Sequence, residues 1–157
     1  IVRCYLIMYS SYFYIENCKM NDIIKRTGKG RRMEEYINIG KIDIEKYSDL
    51  CENEIITDEV IITFKQIEHI DEERYGIFEK YKESLEEIVL NPDYIIKDTK
   101  HKDTGLVIKR YEKDVVVVLK LNTADKEKKN SIITIWEIKD KRLQRYLVTH
   151  KIVYKSE

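Results

Sequence analysis

The chain has 157 residues, with 29 Lys and Arg balanced by 29 Asp and Glu, 43% apolar residues, one Pro and five Gly. That composition excludes a disordered chain and fits a single domain with a heavily charged surface. Cys4, Cys18 and Cys51 are odd in number and lack the paired spacing of a disulfide framework or zinc site, so a reducing, cytoplasmic setting is expected.

The charges are unevenly placed. Residues 1–94 hold 13 Lys and Arg against 20 Asp and Glu, and residues 95–157 hold 16 against 9. The halves therefore carry −7 and +7. The basic C-terminal half can attract phosphate, and a salt-bridged surface between the halves is the competing reading.

Residues 4–15 are apolar and aromatic but include Ser10 and Ser11, and they fall well short of the roughly 20 residues of a membrane span. They offer no small-residue cleavage site of the kind a signal peptide needs. Residues 25–32 are basic and punctuated by Gly28 and Gly30, which reads as a joint. They lack the spacing of a phosphate loop. A boundary near Met33 follows, with residues 1–33 as an N-terminal segment and linker and residues 34–157 as the domain.

Alternation over residues 36–44 predicts a short edge strand, and Val60, Ile61 and Ile62 a brief buried one. Thr63 and Gln66 have capping-box spacing, which starts a helix over residues 64–74. Gly76 interrupts the pattern. Ile77, Tyr81, Leu85 and Ile88 then recur on one helical face that ends at Asn91-Pro92. Beyond it, residues 94–96, 106–111, 115–121 and 132–138 are β-branched runs separated by polar turns. Residues 115–119 are apolar at both parities, so that strand should be central and covered on both faces. Asp140 should cap a last, basic helix through Leu143 and Leu147. The expected class is α+β, with helices packed on one face of a four-stranded, mostly antiparallel sheet and a C-terminal helix.

No paired cysteines, dinucleotide glycine fingerprint or nucleophile elbow is present. Three histidines remain. His69 sits in the capped helix between Ile67 and Ile70, at the border of its buried face, where it serves either proton transfer or structure. His101 lies in a charged turn, residues 98–103, that reads as exposed and without a partner; His150 draws no role. Strand alternation places Lys120 and Asn122 on a face with Val116 and Val118, and Thr134 and Trp136 on a face with Ile132 and Ile138.

Residues 55–63, the helix through Gln66, His69 and Ile70 to Arg74, the Asn91-Pro92-Asp93-Tyr94-Ile95-Ile96 boundary, the strand through Val118, Lys120 and Thr123, and the Asn130-Ser131-Ile132-Ile133-Thr134-Ile135-Trp136 run come in order. Together they resemble the phage-associated nuclease family grouped with barnase, EndoU, colicin ribonucleases and RelE. The likeness covers residues 36–154. It implies a four-stranded antiparallel sheet behind a helical front, and a metal-independent ribonuclease site needing no cofactor. Phe64-Lys65-Gln66 departs from the charged step that relatives carry before the helical histidine.

The resemblance makes His69 the foremost catalytic position, followed by Arg74, Lys120, Thr123, Ser131 and Thr134, with Arg110, Asn122 and Trp136 as substrate contacts. On this reading His69 moves protons, Lys120 with Arg74 or Arg110 steadies phosphorane charge, and Ser131, Thr134 and Thr123 position phosphate oxygens. RNA is the expected partner, with an immunity or antitoxin protein or a phage head protein as further candidates, and no membrane. The location expected is cytoplasmic or virion-associated. The alternative is a non-catalytic RNA- or protein-binding domain of a phage head-morphogenesis or packaging protein.

Overall fold

A computed structural model describes residues 35–157. The segment and joint expected before Met33 lie outside the described residues. The chain folds as β1 (Tyr36–Lys41), α1 (Ile44–Tyr47), a 3-10 turn (Ser48–Leu50), β2 (Glu59–Thr63), α2 (Phe64–Glu73) and α3 (Ile77–Tyr81). A second 3-10 turn (Lys82–Ser84), α4 (Leu85–Leu90), β3 (Tyr94–Lys97), β4 (Thr104–Lys109), β5 (Asp114–Lys120), β6 (Asn130–Ile138), α5 (Asp140–Thr149) and β7 (Ile152–Lys155) follow.

One seven-stranded sheet runs in the order β1-β2-β6-β5-β4-β3-β7. All neighbours are antiparallel except β2 and β6. The four strands expected from residues 94–138 form its centre, and β5 occupies the middle position that its doubly apolar pattern required. The sheet is nevertheless wider than the four strands anticipated. β1 and β2 extend it on one side through a β2–β6 contact of only two residue pairs, Val60 with Asn130 and Ile61 with Ser131. β7 extends it on the other, against β3.

Local chemistry explains why β2 stops so early. The Thr63 hydroxyl accepts the Gln66 N–H at 3.2 Å, and the Gln66 carboxamide accepts the Thr63 N–H at 3.0 Å. This capping box turns the chain into α2, which runs beside β6 where β2 would have continued. Gly40 marks the other constraint on this side. It has φ +144°, and a Cβ there would meet the Glu86 side chain of α4 at 2.8 Å, so no other residue fits this bulge of β1.

The main core lies between the sheet and α1 to α4, with Tyr47, Ile70, Leu85 and Ile88 meeting Val115, Val117, Leu119, Ile132 and Ile135. Tyr47 donates its buried hydroxyl to the Val89 carbonyl at 2.5 Å, and burial pushes its phenol pKa up. The helices do not all share one face. α5 packs on the opposite side, where Leu143 joins Ile96, Leu106, Ile108, Val116, Val118 and Ile138.

Two further expectations change. The helix through Ile77 and Ile88 is divided, because the chain tightens into a 3-10 turn directly after Tyr81, whose hydroxyl is held by Glu137 at 2.8 Å. The N-cap of α5 is Lys139, with Asp140 as the first helical residue and no side-chain cap; the acid still sits favourably at the helix N-terminus.

Candidate active site

α5 covers only part of its face of the sheet. Beside it lies an open groove of about 430 Å³. Its floor comes from Leu106 on β4, Val118 on β5 and Ile133 on β6, and Lys120 stands at the end of β5. The turn between β3 and β4 supplies Asp98, Lys100 and His101, while α5 and its C-cap supply Tyr146 and His150. Every lining residue comes from the basic half of the chain.

A β-bulge gives the groove its β6 wall. Val118 pairs with Thr134 but Leu119 pairs with Ile132, so Ile133 has no opposite residue. The extra residue shifts the alternation. Ile132 and Ile135 both enter the main core, and Ile133 and Thr134 both line the groove. Ile132 therefore does not share a face with Thr134 and Trp136, contrary to simple period-two reading.

Both groove histidines are held through Nδ1. His101 Nδ1 lies 2.8 Å from Asp98 Oδ2. Burial alone would raise the Asp98 pKa, but the Lys100 N–H and the His101 ring outweigh it and hold the carboxyl below its ordinary value. Asp98 is thus an ionised acceptor, and Nδ1 must carry the hydrogen that joins them. His150 Nδ1 lies 2.8 Å from Thr149 Oγ1. That hydroxyl donates to the Arg145 carbonyl at 2.8 Å, so it can only accept from the ring. In each neutral imidazole Nε2 is left with the lone pair, the form a general base requires.

Of the residues singled out from sequence, Lys120, Thr134 and Trp136 line the groove. Arg74 reaches its rim, with Nη1 3.4 Å from Thr134 Oγ1 and the guanidinium 5.8 Å from the Trp136 ring centre. The others are placed elsewhere. His69 is on the outer part of α2, its side chain 59% exposed and 3.4 Å from Glu73. Ser131 donates to Gln66 at 3.1 Å and Thr123 to Asp103 at 3.0 Å. Asn122 donates to the carbonyls of Asp125 and Lys128, tying together the loop before β6. Arg110 is paired with Asp114 at 3.4 Å and Asp140 at 3.2 Å.

Sequence reasoning missed His150 as a site residue and gave His101 no partner. The His101 side chain is 70% exposed, as a turn residue should be, but it is paired with Asp98. The signal was present: an Asp followed two residues later by the N–H it captures is an Asx turn, here Lys100 N–H to Asp98 Oδ1 at 2.8 Å. No local signal marks His150. It reaches the groove because β7 pairs with β3, with Lys97 N–H donating to the Lys151 carbonyl at 2.9 Å.

Two imidazoles, a lysine and a threonine hydroxyl around one groove have the chemistry of a phosphodiester-processing site. Residues 37–155 match the family model described as phage-Barnase-EndoU-ColicinE5/D-RelE like nuclease2, and the chain belongs to that family of nucleases. Comparisons with curated proteins and with solved structures found no match.

Proposed function

We propose that the groove is the active site of a metal-independent endoribonuclease. The observation that carries this reading is the convergence of His101 and His150, each with Nδ1 engaged and Nε2 left for substrate, on a groove that also holds Lys120. One imidazole takes the proton of the ribose 2′-hydroxyl as its oxygen attacks the adjacent phosphorus. The other, entering the step as the imidazolium, gives its Nε2 proton to the departing 5′-oxygen, so that the P–O5′ bond breaks and leaves a 2′,3′-cyclic phosphate and a 5′-hydroxyl. Lys120, with Arg74 at the rim, offsets the charge gathered on the phosphorane, and Thr134 offers a hydroxyl to its oxygens.

RNA is the substrate this route needs, because DNA has no 2′-hydroxyl. Incubating the purified protein with total RNA in EDTA and mapping fragment ends tests the proposal. Cleavage that survives chelation and leaves 2′,3′-cyclic phosphates is expected. Loss of cleavage in EDTA, 5′-phosphate products, or binding without cleavage would each overturn it.

A further inference from the structure

Two aromatic rings border the groove, and neither has a part in the proton transfers. Trp136 comes from β6 and Tyr146 from α5, and both pack against the apolar floor that includes Leu106 and Val118. Each ring has an arginine over it: Arg74 lies 5.8 Å from the Trp136 ring and Arg142 5.6 Å from the Tyr146 ring. Arg142 also donates to the Tyr146 hydroxyl at 3.2 Å, and His150 meets the same ring edge-on at 4.8 Å. The rings are thus held in place by cation–π and edge contacts. The Trp136 Nε1 is buried and has no hydrogen-bond partner among the described residues, so the surface that the indole offers the groove is carbon.

Flat carbon surfaces beside the charges of Lys100 and Lys120 match a ligand with an apolar ring and an attached phosphate. A nucleobase of a polynucleotide is that ligand, since base–aromatic stacking is tolerant of sequence and works beside cationic contacts to the backbone. Within a duplex the base faces are covered by their neighbours. We propose that Trp136 and Tyr146 form a nucleobase subsite, and that the strand bound there is single-stranded. This rests on the reading of the groove as an RNA site and adds which form of RNA it takes.

Trp136 is the only tryptophan in the chain, so intrinsic fluorescence reports on this wall of the groove directly. The full chain is titrated with a short single-stranded 2′-O-methyl RNA, which cannot supply the attacking hydroxyl, with its duplex, and with an abasic strand of the same length. Saturable quenching by the single strand is expected, with little response to the duplex or the abasic strand. Tyr146→Ala should weaken binding by roughly tenfold, and Tyr146→Phe, which keeps the ring, should restore it. Equal quenching by the abasic strand or the duplex, or no response to the single strand, would overturn the subsite. A protein that shows the expected quenching yet leaves RNA intact keeps the subsite and loses the nuclease reading. One that cleaves RNA without the response loses only the subsite.

Discussion

Asp98 bridges the turn that carries His101: one carboxylate oxygen lies 2.8 Å from His101 Nδ1 and the other accepts the Lys100 N–H at 2.8 Å. The ring is therefore fixed by the backbone of its own turn and owes nothing to the core. His101→Ala should lower RNA cleavage by about 100-fold or more, the scale of lost acid–base help, with at most a small drop in melting temperature from the lost pair with Asp98. Asp98→Ala should lower it less, by about tenfold, through a misoriented ring. His69→Ala is the discriminating variant. The groove reading expects it to cleave at the wild-type rate, and a loss matching that of His101→Ala would return the proton transfer to α2.

Lys120 ends the central strand with its side chain exposed into the groove. Lys120→Ala should reduce the cleavage rate about 10- to 100-fold by removing charge from the phosphorane, the order seen when one such stabilising contact is lost. Its thermal unfolding should match that of the wild type. If the rate is kept while only binding weakens, Lys120 holds the ground state and not the transition state.

Asn130 is fully buried and joins three segments. Its amide donates to the Thr57 carbonyl at 2.7 Å and its oxygen accepts the Asn122 N–H at 2.8 Å. Asn130→Ala should cost about 2–4 kcal/mol, because each stranded backbone group carries a desolvation penalty of about 1–3 kcal/mol. Urea unfolding measures it. A change under about 0.5 kcal/mol would mean that both groups find other partners.

Glu137 and Asp98 tie stability to pH on the acid side. The Lys80 ammonium, then the Tyr81 hydroxyl, hold the Glu137 carboxyl below its ordinary value of 4.5, and Asp98 lies below its ordinary 3.8. A depressed folded pKa contributes stability that is present above the unfolded value and is lost as pH falls through the folded one. The melting temperature should therefore hold from neutral pH to about pH 5 and fall steeply below about pH 4. Glu137→Gln should make that fall shallower. Equal slopes for the two proteins would remove Glu137 from the account.

How much was legible in the sequence follows from how local each signal is. The Thr63–Gln66 capping box, the break at Gly76 and the doubly apolar run of β5 depend on residues within a few positions of one another, and each appears in the structure where the pattern places it. Lys120, Thr134, Trp136 and Arg74 were singled out, and they do meet. The width of the sheet was not legible, because β2 touches β6 through two residue pairs only and β7 is a four-residue strand with no buried residue. Such strands are stabilised by their partners and leave little pattern of their own. The bulge at Ile133 is likewise not placed by the run Asn130 to Ile138, whose adjacent apolar pairs Ile132-Ile133 and Ile135-Trp136 fit more than one alternation, yet it decides which side chains reach the groove.

The local sequence determined the four central strands, the capped helix α2, the family and the basic character of the half that forms the groove. Tertiary structure alone decided which histidines share that groove. His101 and His150 are 49 positions apart, and they line one cavity because β7 pairs with β3 and brings the end of α5 to the turn after β3, a long-range contact that no spacing along the chain encodes.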